Sequence, residues 1–437
     1  MKIRNPCLVI LITLINLLCS QSSQAYSILT HEAIVDASWE KGLQPLLLLK
    51  YPGSTNEQLK EAHSYAYGGA IAPDMGYFPF GNPLFTNLVH YVRSGDFVNN
   101  LLDEAQNLNE YAFALGCLSH YMSDKYGHNL GTNRCVPMVY PKIKKKFGSV
   151  VTYDEDHTSH KRMEFAFDVL QTALGNYATP KYHDFISFNV ARPVLERAFS
   201  LTYGLDINEV FGDLSLAIST FRWSVMSLFP TLTKTAWAMK KNEIRKMQPN
   251  STSRNFKFKM KRAIYYKEFG NKIQKPGFFP TILSWFICIL PKVGPLKSLK
   301  YIPPGPAAEK LFIQSFDAVL VHYSSSLETL HHGNIYFTNI DFDTGNITEP
   351  GEYPLTDRTY DVLVTRLENK NFDLLNPDLK QNILRFYTNR KPLLHTKKYE
   401  RNFEKTTEAL EQLKCTATKL QYRASMDMKQ NGKRTRL

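Results

Sequence analysis

Apolar residues recur every three to four positions along most of this chain, the period of a helix with one buried face. The clearest run is "DFVNNLLDEAQNLNEYAFALGCLSHYMSDKYG", residues 96–127. "THEAIVDASWEKGLQPLLLL" (30–49) predicts a helix with Thr30 as its N-cap and the acidic Glu32 in its first turn. "HKRMEFAFDVLQTAL" (160–174), "DLSLAISTFRWSVMSLF" (213–229) and "AEKLFIQSFDAVLVHYSSSLETL" (308–330) predict further helices. Gly, Pro and Asn mark loops, as in "GGAIAPDMGYFPFGNP" (68–83). "NIYFTNIDFDTGN" (334–346) alternates like a strand. The pattern predicts an all-α fold of many helices, with no internal repeat.

One stretch breaks the simple division between apolar core and polar surface. "SHYMSDKYGH" (119–128) places His120, Asp124 and His128 at four-residue intervals, on one helical face. Taken alone, such a triplet reads as a solvated face. It follows "YAFALGCL", however, whose apolar and small residues predict burial. A buried His and Asp need partners, because an unpaired buried charge is costly.

Composition sets the context. The chain has 437 residues and is 43% hydrophobic, enough for a large core. Residues 1–25 read as a secretory signal. Lys2 and Arg4 open it, "CLVILITLINLL" (7–18) is its apolar part, and "SQA" (23–25) suits cleavage after Ala25. The expected location is secreted or periplasmic. Cleavage leaves Cys117, Cys135, Cys288 and Cys415, an even number compatible with disulfides. No Cys-x-x-Cys pair supports a thiolate zinc site.

The formal net charge is +13, and most of it is local. From Lys234 to Lys300 there are 16 Lys and Arg against only Glu243 and Glu268. Such a block suggests an anionic partner, a membrane surface, nucleic acid or phosphorylated substrate, or else a solvated basic surface. "QPNSTSRNFKFKMK" (248–261) is polar and basic, a linker or exposed loop. The apolar run 281–290 lies between Pro280 and Pro291. It is too short to span a bilayer, which takes about 20 residues. With Phe278, Phe279 and Trp285 it either makes peripheral membrane contact or packs as a hairpin over the helices. "KQNGKRTRL" (429–437) reads as a disordered tail.

Other residues join the triplet. His160 and Glu164 form a second i, i+4 pair whose side chains reach one point. Asp74 lies in "APDMGYFP" and His90 in "NLVHYV". His31 follows five residues after Tyr26, the first residue of the expected mature chain. All are nitrogen or oxygen donors that zinc accepts, and their number suits more than one ion. His63, His183, His322, His331, His332 and His395 read as core or surface residues.

In order and spacing these motifs resemble the bacterial zinc-dependent phospholipase C family, which shares its fold with fungal single-strand-specific zinc nucleases. The matching stretches are "YSILTH", "PDMG", "LVHY", "HYMSD", "GH" and "HKRME", spanning residues 26 to about 165. The resemblance implies a mostly helical fold and three clustered zinc ions. Asp74, His90, His120 and Asp124 would hold one. His128, His160 and Glu164 would hold the second. The amine and carbonyl of Tyr26, with His31 and Asp124, would hold the third. Asp124 would bridge two ions and Asp74 would orient or deprotonate water.

There are departures from the family pattern. Its first residue is usually Trp, here Tyr26. Asp124 and His128 stand closer together, and the segment from His128 to His160 is longer. His157 competes with His160, although only His160 has the i+4 carboxylate.

The implied organisation is a signal peptide (1–25), a phospholipase C-like catalytic domain (26–245) and a basic, mainly helical C-terminal extension (246–437). The implied activity is hydrolysis of phospholipid to diacylglycerol and a phosphorylated head group by a zinc-bound hydroxide. The same cluster would serve a nuclease or nucleotidase, with nucleic acid as partner. A metal-loaded protein without turnover is the remaining alternative.

Overall fold

Helix ends follow capping chemistry. The computed structural model describes residues 28–177, 187–247, 249–252, 255–256, 300–333, 335–388 and 397–418. The signal, Tyr26, the apolar run 281–290 and the tail therefore lie outside the described residues. So do Cys288, His183, His395 and most of the basic block. No described helix is long and apolar enough to cross a membrane.

The chain opens with α1 (Ile28–Ser38), a wide π-type turn (Trp39–Leu43) and α2 (Gln44–Lys50). Helix α3 (Asn56–Ile71) starts at a capping box between Thr55 and Gln58 and runs into a 3-10 turn, Ala72–Tyr77. Helices α4 (Pro83–Tyr91), α5 (Ser94–Glu104) and α6 (Leu108–Gly127) follow. The Asn107 side chain caps α6 by accepting from the Glu110 N–H at 3.0 Å. After a wide turn, His128–Thr132, come α7 (Asn133–Val139), α8 (Pro141–Phe147) and α9 (His157–Leu174), the last capped by Asp156. Helices α10 (Arg192–Tyr203), α11 (Ile207–Phe211), α12 (Leu214–Trp223) and α13 (Phe229–Met247) complete the first part. Beyond residue 300 lie α14 (Pro306–His332), α15 (Pro354–Asn369), α16 (Pro377–Thr388) and α17 (Lys397–Cys415). The fold is all-α.

Several local expectations shift. The first helix begins at Ile28 instead of being capped at Thr30, because Thr30 already lies within it. The long run 96–127 divides into α5 and α6 where Ala105 turns extended. The alternation at 334–346 does not make a strand. An isolated bridge pairs Ile340 with Ile347, and the described residues contain no strand. Gly68 and Gly69, expected in a loop, lie inside α3. They serve close approach: a Cβ on Gly69 would sit 2.0 Å from the Phe113 carbonyl oxygen of α6.

The contact is reciprocal. A Cβ on Gly116 would sit 2.1 Å from the Ala66 carbonyl oxygen and 2.9 Å from the Ala70 N. These are backbone atoms and cannot swing aside. Gly116→Ala is therefore expected to destabilise by about 3 kcal/mol, the upper end for overpacking a core. A chemical denaturation midpoint equal to wild type would show that α3 and α6 are not in backbone contact.

The core is continuous across the sequence. Phe167 of α9 stacks on Phe312 of α14, with ring centroids 4.3 Å apart. The Tyr323 hydroxyl of α14 donates to the Leu115 carbonyl of α6 at 2.9 Å. Buried residues from Ile28 to Leu413 belong to one apolar cluster. Cys117 and Cys135 are buried thiols and Cys415 is an exposed one.

Candidate metal centre

Six elements bring polar side chains into this apolar interior. α1 supplies His31, the 3-10 turn Asp74, and α4 His90. α6 supplies His120 and Asp124, with His128 opening the wide turn that follows. α9 supplies His160 and Glu164. All eight are buried, with His31, His120, Asp124 and His160 fully inaccessible. This removes the solvated-face reading of "SHYMSDKYGH".

Asp124 is the hub. Its Oδ2 lies 3.1 Å from His120 Nε2 and 3.4 Å from His90 Nε2. Its Oδ1 lies 3.7 Å from His31 Nε2 and 3.9 Å from His128 Nε2. Asp74 Oδ1 is 3.4 Å from His90 Nε2. Glu164 Oε1 is 2.8 Å from His160 Nδ1 and 3.6 Å from His128 Nε2. The i, i+4 pairing thus works as helical geometry requires on both α6 and α9. His160 and not His157 faces the carboxylate; His157 packs its ring on Tyr153.

Backbone carbonyls fix the imidazole tautomers. A carbonyl can only accept, so His90 Nδ1–H donates to the Thr86 oxygen at 2.9 Å. In the same way His120 Nδ1–H donates to the Ala70 oxygen at 2.8 Å. In the neutral rings both Nε2 lone pairs are left exposed, and they face each other across 3.2 Å. Two such lone pairs repel unless positive charge lies between them and the carboxylates.

The electrostatics agree. Burial pulls His90 down, but Asp124 and Asp74 outweigh it and its pKa is raised to about 9. Burial also opposes charge on His160, yet Glu164 and then Asp343 raise its pKa to about 10. Burial pushes Asp124 up, and the imidazoles, His120 foremost, hold it well below the usual carboxylate range. Buried oxygens of Asp74, Asp124 and Glu164 have no well-aligned hydrogen-bond donor among the described residues, although imidazoles surround them. Such a site calls for positive charge: protons meet the demand in part, and a divalent cation can take their place.

Donor atoms group into three sets, each within 4.8 Å: His31, His120 and Asp124; Asp74, His90 and His120; His128, His160 and Asp343. The nitrogen and oxygen donors fit zinc, with no sulfur among them. The eight expected donors that are described converge here. Tyr26, the ninth, lies outside the described residues, two positions before Ile28.

Asp343 was not foreseen from the pattern. It lies in the 334–346 stretch, far along the chain from every other donor. Its only local signal is the turn-like "DFDTGN", where Asp341 Oδ1 accepts from the N–H groups of Asp343 and Thr344. The same turn lays Phe342 against the site. Its ring centroid is 5.0 Å from that of His90, and its N–H donates to the His90 carbonyl at 3.2 Å.

The remaining described histidines serve packing or surface. His63 stacks on Trp39, His322 on Tyr126, and His331 and His332 end α14.

The family model described as zinc dependent phospholipase C matches residues 30–212. The comparisons with curated proteins and with solved structures find no match. The matched stretch contains every described donor of the expected set, and Asp343 falls outside it.

Proposed function

We propose, from the premise that residues 30–212 belong to the zinc-dependent phospholipase C family, that this chain is a phosphodiester hydrolase of glycerophospholipids. The products are a diacylglycerol and a phosphorylated head group. The observation that carries the reading is the buried convergence of His31, Asp74, His90, His120, Asp124, His128, His160 and Glu164. Asp74, His90, His120 and Asp124 would hold one zinc, and His128, His160 and Glu164 a second. His31 and Asp124, with the backbone of Tyr26, would hold the third.

Zinc, when bound, supplies a Lewis acid for phosphoryl oxygens and a water acidic enough to ionise near neutrality. The chain does the rest. Asp124 sets the spacing of the donor sets through its two oxygens. Thr86 and Ala70 lock His90 and His120 in the tautomer that directs Nε2 inward. Asp74, whose buried Oδ1 lies 3.4 Å from His90 Nε2, would orient or take a proton from attacking water. The apolar packing around the cluster lowers the local dielectric and strengthens each of these interactions. Removal of residues 1–25 and export are part of the same reading.

The test is a side-by-side assay of phosphatidylcholine, other phospholipids and single-stranded nucleic acid. Phospholipid should be cleaved to diacylglycerol, a chelator should abolish turnover, and added zinc should restore it. Cleavage of nucleic acid alone would replace this reading with the nuclease. Bound zinc with no hydrolysis of any of these would replace it with a binding role.

A further inference from the structure

Asp343 reaches the centre from beyond the family-matched stretch, and its two oxygens have different surroundings. Oδ2 accepts from the Tyr153 N–H at 2.7 Å and from the Tyr353 hydroxyl at 2.7 Å. Oδ1 lies 3.1 Å from His128 Nδ1 and 3.5 Å from His160 Nε2. The peptide oxygen of Asp343 accepts from Asn133 Nδ2 at 2.8 Å. Asn133 Oδ1 in turn lies 2.7 Å from His160 Nε2. Asp343 is fully buried, as is Asp341, which braces the turn and accepts from the Thr356 hydroxyl at 2.6 Å. A buried carboxylate fixed from this many directions is part of a built site.

The two rings decide what it does. His128 turns Nε2 toward Glu164 and Asp124, and His160 turns Nδ1 toward Glu164. Asp343 faces the other nitrogen of each ring. An imidazole that binds a metal through one nitrogen commonly donates its second N–H to a carboxylate or carbonyl, which fixes ring orientation and raises ligand basicity.

We propose that Asp343 is a positioning carboxylate of the metal centre, which orients His128 and His160 from behind, with Asn133 sharing the load at His160. The segment after residue 300 thereby becomes a structural requirement of the second zinc. A direct ligand role fits less well, since Oδ2 already serves two donors and Oδ1 faces the nitrogens remote from Glu164.

The inference rests on the zinc reading above, and the experiment separates the two. Full-length protein, stripped of metal, is titrated with zinc against a chromophoric chelator. In Asp343→Asn, one site should weaken by about 10–100-fold, the usual effect of losing such a partner. The other sites should keep wild-type affinity, and melting of the zinc-free protein should stay close to wild type. Tyr353→Phe removes one of the two donors to Oδ2 and should weaken the same site by a smaller factor. If Asp343→Asn fails to fold, Tyr353→Phe decides.

Wild-type affinity at every site in these variants would overturn the role. So would a uniform loss across all sites, the mark of a general structural defect. Complete loss of one metal with a changed ligand-field spectrum in cobalt-loaded Asp343→Asn would make Asp343 a ligand instead. Failure of the wild type to take up zinc would sink both readings; uptake with an unaffected Asp343→Asn sinks this one alone.

Discussion

Asp124→Asn is expected to lower phosphodiester hydrolysis by more than about 100-fold, since loss of a partner one shell further out already costs 10–100-fold. It should also reduce the content of two zinc ions together. The division of contacts between its oxygens is the reason. Oδ2 serves His120 and His90, while Oδ1 serves His31 and reaches toward His128. An amide keeps one acceptor, turns the other position into a donor, and removes the charge. Donors placed opposite a cation repel it, so the loss exceeds that of a missing contact. His128→Ala should be milder in metal content. That ring opens the turn after α6 and addresses Glu164 and Asp343 on its two sides, so one zinc should go and the His90–His120 group should stay intact. Elemental analysis of both purified variants checks the division. Equal metal loss in the two would show that Asp124 does not join separate sites.

Much of this centre was legible because helical spacing is local physics. His120 and Asp124, like His160 and Glu164, are four apart, and a helix brings such pairs together whatever surrounds it. The apolar neighbours in "YAFALGCL" announced burial, and burial made partners necessary. What stayed illegible depends on contacts between distant parts of the chain. Gly69 looks like a loop residue until α6 is laid against α3, where a Cβ would strike the Phe113 carbonyl, and Gly68 does so until the Asn189 backbone is laid over it. The alternation at 334–346 looks like a strand, but among the described residues no neighbouring strand pairs with it. Instead Phe342 packs on His90 and Asp343 turns toward His128. The period was real; the partner it needed was a helix-borne site.

A protein that keeps one extra residue before Tyr26 is expected to lose one zinc and most of its hydrolytic activity. The structure gives this proposal an anchor even though Tyr26 is not described. Asp168 stands one helical turn beyond Glu164 on α9. It accepts from the Leu29 N–H at 3.0 Å, from the Thr30 N–H at 3.1 Å and from the Thr30 hydroxyl at 2.7 Å. The two N–H groups are donors that the first turn of α1 leaves without helical partners. The Thr30 hydroxyl is also 2.8 Å from the Tyr177 hydroxyl. The chain is therefore fixed three residues after Tyr26, on the helix that carries His160 and Glu164, with His31 next in line. Ile28 is already helical, so only two residues of the expected mature chain precede it, and these span at most about 7 Å, a short tether that leaves the terminal amine few places to go. A free α-amine has a pKa near 8, roughly 7.7–8.0, so it yields its proton readily to a competing cation. An extra residue turns that amine into a peptide N–H, which donates and does not ligate. It leaves the Asp168 clamp untouched, so folding should be preserved while the metal is lost. Zinc content, melting temperature and turnover of the two forms, measured together, decide the matter. Full zinc and full turnover in the extended form would refute an N-terminal ligand, and Asp168 would then be only a helix cap.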